Sequence, residues 1–403
     1  MTTLTTIERD AIAHARNAPM LERTRAWAEV NSGTGNLPGL EAVGGMLAQA
    51  FSALPGRIAL IEPDPAERVT AAGTVEPISN GRHLHLVVRP EAPIQMLFTG
   101  HMDTVYPSDH AFQHVTDLGD GRVNGPGVAD MKGGLALMLA ALEAVEGTAA
   151  RHAFGYEVVI NSDEETGSFA SARLIERAAR GKTAAFTYEP ALPDGGLAGA
   201  RGGTGNFSLA VRGRSAHAGR NPEDGRNAIV AASDLALRLA KARGPRLGVN
   251  SARIDGGGPN NVVPDTAVLR VNFRPGTMED ITRARAHLDA AVAAVEAEHE
   301  VAVRIHGGFN RPPKPIDAGA ASLFALVGTA GADLGLDLSV APTGGVCDGN
   351  NIAACGVPVV DTMGARGGAI HSSEEYLIPE SLPERAALST LAILRIANGG
   401  FRA

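Results

Sequence analysis

Histidine and carboxylate side chains recur in this sequence directly after segments that are predicted to be strands. In open α/β sheets, ligands bind beyond the carboxyl ends of the strands. Side chains that follow several strands of one sheet are therefore expected to converge on one place. The candidates are His101 and Asp103 after a strand at 94–99, Glu164 and Glu165 after 156–160, Glu189 after 184–188, and His371 beyond 357–361.

The residue types at this place suit a pair of divalent metal ions. Imidazole and carboxylate without thiolate fit zinc, cobalt, manganese or iron(II). Asp130, in a glycine-rich loop just before a predicted helix, joins His101, Glu165, Glu189 and His371. If one carboxylate bridges, these side chains suffice for two ions that share a water molecule and lower its pKa.

Such a site needs a further carboxylate as a proton shuttle rather than as a ligand. Of the adjacent pair Glu164 and Glu165, one can bind metal and the other can transfer the proton, because neighbouring loop side chains point in different directions. Asp103 lies two residues after His101 and can accept its second imidazole N–H, which fixes the tautomer. Taken singly, each residue would be expected as an ordinary polar surface side chain. Their recurrence after successive strands favours a metal site.

Composition excludes several other classes of protein. The chain has 403 residues, 44% of them hydrophobic and 20% charged, which is typical of a globular protein of two or three domains. Two cysteines, Cys347 and Cys355, exclude a disulfide scaffold and a cysteine-based zinc ribbon. A net charge of −8 without a basic patch argues against a nucleic-acid partner. The longest uncharged apolar run is about half of a membrane span, and no signal peptide is visible, so we expect a cytoplasmic protein.

The predicted elements divide the chain into two units. Helices and strands alternate over 1–204 and again over 314–403, which predicts one α/β domain with a largely parallel sheet built from both ends of the chain. Between them, 205–313 has the order β-α-β-β-α-β of a ferredoxin-like fold. Stretches rich in Gly and Pro at 195–205 and 307–315 flank this insert as hinges.

Seven short motifs make the chain resemble the M20 family of metallopeptidases and amidohydrolases. It is most similar to the glutamate carboxypeptidase branch, and it also resembles the acetylornithine deacetylase and succinyl-diaminopimelate desuccinylase group. The motifs occur in family order along nearly the whole chain. They are GHMDTVYP from Gly100, GPGVADMKGG from Gly125, NSDEETGS from Asn161, TYEP from Thr187, SAHAG from Ser215, NNVVP from Asn260 and IHSSEEY from Ile370.

The resemblance implies a zinc-exopeptidase-like catalytic domain with a mostly parallel mixed sheet. The inserted α+β domain would serve as a lid and as the contact between the subunits of a homodimer. His101, Asp130 and Glu189 would hold one of two divalent ions per subunit, most simply zinc, with cobalt or manganese as alternatives. Asp130 would bridge the ions, and Glu165 and His371 would complete the second site.

The resemblance also implies roles outside the metal ligands. Glu164 would be the general base, Asp103 would orient His101, and the peptide bond after Asp130 would be cis. His217 of the inserted domain would reach the active site of a partner subunit and stabilise the tetrahedral oxyanion. The residues implied to bind a substrate with a free carboxylate are Asn261, Arg274, Gly344 and Gly345.

These observations predict a metal-dependent hydrolase that cleaves the amide bond of an N-acyl amino acid, a dipeptide or a folate-like conjugate with a free carboxylate. The same scaffold could act on an unusual amide or an aryl amine, because a fold does not fix the substrate. A non-catalytic binding protein on this scaffold would be expected to lack some ligands or Glu164, and the sequence has all of them.

Overall fold

The computed structural model of the protein describes residues 4–401 and consists of helices and strands that alternate along most of the chain. None of its helices combines the length and the apolar character that a membrane span requires. The α-helices in that part of the chain are α1 (Thr6–Arg16), α2 (Met20–Ala28), α3 (Leu37–Phe51), α4 (Gly133–Glu146), α5 (Ala172–Ala179), α6 (Ala228–Ala240), α7 (Met278–His299), α8 (Ala318–Asp333), α9 (Asp348–Ala354) and α10 (Ser381–Ala397). The strands are β1 (Arg57–Ile61), β2 (Ala66–Val69), β3 (Val75–Ile78), β4 (His83–Val88), β5 (Ile94–His101), β6 (Thr116–Asp117), β7 (Val123–Asn124), β8 (Phe154–Asn161), β9 (Ala184–Thr187), β10 (Leu197–Arg201), β11 (Thr204–Arg212), β12 (Leu247–Gly256), β13 (Thr266–Pro275), β14 (Ala302–Arg311), β15 (Val340–Thr343), β16 (Val359–Val360), β17 (Gly367–Gly368) and β18 (Tyr376–Leu377).

Six strands form a mixed sheet in the order β1-β4-β8-β5-β9-β16. The pairs β8–β5, β5–β9 and β9–β16 are parallel, whereas β1–β4 and β4–β8 are antiparallel. His101 lies opposite Asn161 where β5 and β8 end. The predicted mixed, mostly parallel sheet is confirmed. The carboxyl ends of its parallel strands lie at one edge.

Side chains of β5 alternate between the two faces of this sheet, and helices cover both faces. Met96 and Phe98 face a core that includes α4 and α10, whereas Leu97 faces a second core with α5 and α9. Phe98 makes edge-on ring contacts with Phe154 and Tyr156 of β8. Burial on both faces explains the continuous apolar run of this strand, and it fixes the position of the strand's carboxyl end.

A second sheet has the order β12-β13-β11-β14 and is antiparallel throughout. One of its faces packs on α6 and α7 in a separate core that contains Phe207, Leu209 and Phe273. Along the chain the elements run β11-α6-β12-β13-α7-β14, the order expected of the insert. The exact domain boundaries and the roles of this unit as lid and subunit contact stay predictions.

The hairpin formed by β2 and β3 lies in a stretch for which the sequence pattern predicts no element. Val69 of β2 packs against Ala210 and Val268 of the second sheet. Those two residues alternate along their strands with residues of the core on α6 and α7, so they lie on the opposite face, which we call the outer face. The hairpin therefore joins the two units.

We predict that Phe98→Ala destabilises the fold by about 3–5 kcal/mol, because truncating a fully buried aromatic side chain leaves a cavity. Leu237→Ala on α6 is the control. Leu237 is 68% exposed, so its truncation should change the free energy of unfolding by less than about 0.5 kcal/mol. Urea unfolding measures both values, and a cost below about 1 kcal/mol for Phe98→Ala would contradict the packing described.

Candidate metal centre

Asp130 lies at the centre of the predicted ligand cluster, with one carboxylate oxygen toward each of two histidines. Its Oδ1 is 3.1 Å from Nε2 of His101, and its Oδ2 is 3.3 Å from Nε2 of His371. Asp130 is only 6% exposed. A carboxylate that faces two imidazoles through different oxygens has the geometry of a ligand that can bridge two cations.

Glu189 and Glu165 complete the two sides of the cluster. Oε2 of Glu189 lies 3.8 Å from Nε2 of His101, while Oε2 of Glu165 lies 3.1 Å from Nε2 of His371. Ligand atoms of His101, Asp130 and Glu165 all lie within 4.8 Å of one another, so this group could hold a metal ion. Oε1 of Glu189 is buried without a hydrogen-bond partner among the described residues, and such an atom calls for an ion or water. The structure thus brings all the predicted ligands together, and the donor set fits a divalent cation.

Protons would compete with a divalent cation for this buried cluster. Hydrogen bonds to Asp130 and Glu165 raise the pKa of His371 to about 10. Burial disfavours the imidazolium of His101, but hydrogen bonds to Asp103 and Asp130 raise the pKa of His101 well above its ordinary value. Burial raises the pKa of Glu165 to about 7. Since ligands must lose their protons to bind a metal, cation binding and proton release are coupled here.

The loop that carries Asp130 is held by Glu375. The buried carboxylate of Glu375 accepts hydrogen bonds of 3.0–3.1 Å from the backbone N–H groups of Gly127, Ala129 and Asp130. The peptide bond between Asp130 and Met131 is cis, as the motif resemblance implies. Glu375 lies within the IHSSEEY motif, yet the sequence analysis assigns it no role; membership of that motif was the available signal.

Asp103 holds both His101 and the loop of the paired glutamates. Its backbone carbonyl lies 3.0 Å from Nδ1 of His101, and its Oδ1 lies 3.4 Å from the same nitrogen. Its carboxylate also accepts 3.2 Å hydrogen bonds from the backbone N–H groups of Glu164 and Glu165. When Nδ1 donates to Asp103, the lone pair of Nε2 is left for a metal. Both the carbonyl and the carboxylate of Asp103 therefore lie where the predicted orienting role would need them.

Glu164 is buried beside Arg311, which the sequence analysis does not select. Nη2 of Arg311 lies 2.7 Å from Oε1 of Glu164 and donates a 2.9 Å hydrogen bond to the Glu164 carbonyl. Burial raises the pKa of Glu164 well above its ordinary value, and the charge of Arg311 opposes that shift. A buried carboxyl group with a raised pKa is suited to accept and return a proton near neutral pH.

Both predicted hinges contribute buried cations to this region. Arg201 from the first hinge contacts the carboxylate of Asp361 at 2.8 and 3.1 Å, and Lys314 from the second contacts it at 3.1 Å. Arg311 also belongs to the second hinge. A charged residue within a Gly/Pro-rich stretch was the only sequence signal for these three cations.

A cavity of about 310 Å³ opens beside the cluster. It is lined by the acidic pair at 164–165 and by His371, together with Arg274 and Gly345. A second cavity, of about 330 Å³, shares the acidic pair, His371 and Gly345 and continues along a largely apolar wall. Gly344 is exposed and lines neither cavity. The structure therefore brings Arg274 and Gly345, but not Gly344, to the edge of the cluster.

His217 and Asn261 do not reach the cluster within one chain. Both are exposed, and neither lines the two cavities beside Glu164. Nδ1 of His217 accepts hydrogen bonds of 3.1 and 3.2 Å from the backbone N–H groups of Gly219 and Arg220. In the neutral ring this leaves Nε2 as a donor. The action of His217 on a partner subunit stays a prediction.

Comparisons with known proteins find similar sequences and a similar fold. The sequence model of a family described as Peptidase family M20/M25/M40 matches residues 97–395. The chain is 29% identical over 380 residues to carboxypeptidase G2 of Pseudomonas sp. (strain RS-16), across 92% of this chain and 87% of that protein. It is 29% identical to a succinyl-diaminopimelate desuccinylase of Psychrobacter sp. (strain PRwf-1), across 69% of this chain and 73% of that protein. The solved structure of a tripeptidase from Staphylococcus aureus has a TM-score of 0.72 at 23% identity, covering 94% of this chain and 97% of that one, which shows a shared fold.

We predict that Glu375→Gln lowers zinc affinity about 10- to 100-fold, because one acceptor oxygen that holds the Asp130 loop becomes a donor. Glu374→Gln is the matched control, since Glu374 is the adjacent residue and is exposed. Competition between metal-free protein and a zinc chelator measures the affinity. Equal affinities for the two variants would show that Glu375 does not position the Asp130 loop for metal binding.

Proposed function

The chain belongs to peptidase family M20/M25/M40, a family of hydrolases, and we propose that it uses two divalent metal ions to cleave an amide bond beside a free carboxylate. The observation that carries this proposal is Asp130, whose two oxygens face His101 and His371. The candidate substrates are an N-acyl amino acid, a dipeptide or a folate-like conjugate. The names of the carboxypeptidase and desuccinylase relatives support this substrate class.

His101, Glu189 and Asp130 would hold one ion, and Asp130, Glu165 and His371 would hold the other. The unpartnered buried oxygen of Glu189 and the nitrogen and oxygen donors support this assignment. Zinc is the simplest choice, and cobalt or manganese would suit the same ligands. When bound, such ions polarise a scissile carbonyl and lower the pKa of water.

Glu164 would accept a proton from the attacking water and donate it to the leaving amine. Its raised pKa, caused by burial, allows it to hold that proton between the two steps. Arg311 fixes one oxygen of Glu164 at 2.7 Å, so the other oxygen is available for the transfer. Asp103 supports this geometry because it holds the backbone N–H groups of the loop.

Arg274 would bind the free carboxylate of the substrate, a task for which a guanidinium offers two parallel hydrogen bonds. It lines the cavity beside the cluster together with Gly345, and Gly344 is the residue before Gly345 in that loop. His217 and Asn261 would act on the partner subunit of a homodimer, because both are exposed away from their own cluster. His217 would then donate its Nε2–H to the oxyanion.

We also place the enzyme in the cytoplasm. Cys347 and Cys355 are both free, and free thiols suit a reducing compartment.

Burial raises the pKa of the Cys347 thiol well above its ordinary value. Because the thiolate is the form that binds metal, Cys347 would not compete with the predicted ligands.

Glu164→Gln should lower kcat about 100- to 10,000-fold while zinc content stays at the wild-type level, because the variant loses proton transfer but no ligand. Glu176→Gln on α5 is the control, since Glu176 is partly exposed and lies outside the site. Amine release from N-benzoyl-L-glutamate, N-acetyl-L-methionine and L-alanyl-L-glutamate measures turnover, and elemental analysis measures zinc. Near-wild-type turnover of Glu164→Gln would contradict the mechanism, and loss of zinc would reassign Glu164 as a ligand.

A further inference from the structure

The β2–β3 hairpin is fastened to the outer face of the second sheet by two arginines. Arg212 of β11 donates hydrogen bonds of 2.8 and 3.2 Å to the carbonyl oxygens of Ala72 and Gly73 at the tip of the hairpin. Arg270 of β13 donates a 2.9 Å hydrogen bond to the carbonyl oxygen of Val69. The hairpin is therefore tied to both central strands of that sheet.

Arg270 and Arg274 lie four residues apart on β13, with Asn272 between them. Because side chains alternate along a strand, all three project from the outer face. Nε of Arg274 donates a 2.8 Å hydrogen bond to Oδ1 of Asn272. Nδ2 of Asn272 in turn donates a 2.8 Å hydrogen bond to Oγ1 of Thr204. Nη1 of Arg270 donates a 3.1 Å hydrogen bond to Oγ of Ser208 on β11. The three side chains of β13 therefore form a row on one face, from the hairpin to the cavity beside the metal-ligand cluster. Arg270 and Asn272 are each hydrogen-bonded to the neighbouring strand β11 or its first residue rather than to one another.

A further cavity of about 460 Å³ lies between the hairpin and this row. Its lining includes Val69 of the hairpin and Arg270 and Asn272 of β13. Thr166 and Asn206 line both this cavity and the one that contains Arg274. The two spaces therefore adjoin, and the hairpin borders the end that is farther from the cluster.

We propose that the β2–β3 hairpin, acting through Arg270, positions Arg274 to bind the carboxylate of the substrate. The inference rests on the proposed function, which assigns Arg274 to that carboxylate. Arg270 is a positioning residue, because its guanidinium bonds to the hairpin, to Ser208 and, at 3.1 Å, to Asp255, and these bonds fix β13 four residues before Arg274 on the same strand. Asn272 accepts a hydrogen bond only from the Nε–H of Arg274. The terminal N–H groups of Arg274 can therefore donate to a ligand.

The first test compares Arg270→Ala with wild type on whichever of the three amides above has the highest kcat/KM, and on the α-carboxamide analogue of that amide. KM for the free acid should rise about 3- to 30-fold with little change in kcat. KM for the carboxamide should not rise, and Arg270→Lys should restore part of the affinity. Arg304→Ala is the control, an exposed arginine of the same sheet.

The second test asks whether Arg270 acts through Arg274. In that case the double variant Arg270→Ala/Arg274→Ala should have the same KM as Arg274→Ala alone, because the contribution of Arg270 is already lost. Fully additive effects on KM would overturn the inference. Arg212→Ala is a milder variant that removes the bonds to the hairpin tip, and it should raise KM for the acid in the same direction.

The outcomes separate this inference from the proposed function. If wild-type protein cleaves none of the three amides, the proposed function is contradicted and the inference falls with it. If wild type cleaves a free acid and KM is unchanged in both Arg270→Ala and Arg212→Ala, only the inference is overturned.

Discussion

The two-sided placement of the Asp130 carboxylate is the constraint on which the site depends. Its oxygens face histidines from distant parts of the chain, His101 at the end of β5 and His371 near the carboxyl terminus. Such a buried carboxylate is costly unless it is paired and hydrogen-bonded. The backbone of its loop is in turn fixed by the carboxylate of Glu375. The parallel strands β8 and β9 bring the predicted ligands Glu165 and Glu189 to the same edge.

Buried cationic side chains offset the negative charge of the acidic groups at this edge of the sheet. They also connect the insert to the site. Arg311 ends β14, the last strand of the second sheet, and contacts Glu164 directly. Arg201, in the connection that enters the insert, shares the buried Asp361 with Lys314. Both connections between the units are therefore anchored by buried ion pairs. The orientation of the second sheet and the position of Glu164 are coupled through Arg311.

The fold and the candidate site are predictable from the sequence where local pattern determines the structure. Apolar runs such as 94–99 and the polar residues that follow them predict the strands, their shared edge and the cluster around Asp130. The motif resemblance predicts the M20 family, and the family match confirms it. The order of elements in the insert is also predicted, because its helices and strands each carry a clear period of apolar residues.

Features that depend on tertiary contacts are not predicted. No local pattern marks Arg311 or Glu375 as buried, and their contacts in the fold reveal what they hold. The β2–β3 hairpin is missed because β3 is exposed along its whole length and contains Pro77, so it lacks the apolar alternation of a buried strand. His217 and Asn261 are exposed away from the cluster of their own chain, and the role that the motif resemblance implies for His217 on a partner subunit stays a prediction.

The most direct test of the account is an anomalous difference map from crystals of the zinc-loaded protein, recorded at the zinc absorption edge. Our account predicts two peaks per chain that flank the carboxylate of Asp130, one beside His101 and Glu189 and the other beside Glu165 and His371. A single peak, or peaks away from Asp130, would contradict the proposal that this carboxylate bridges two metal ions.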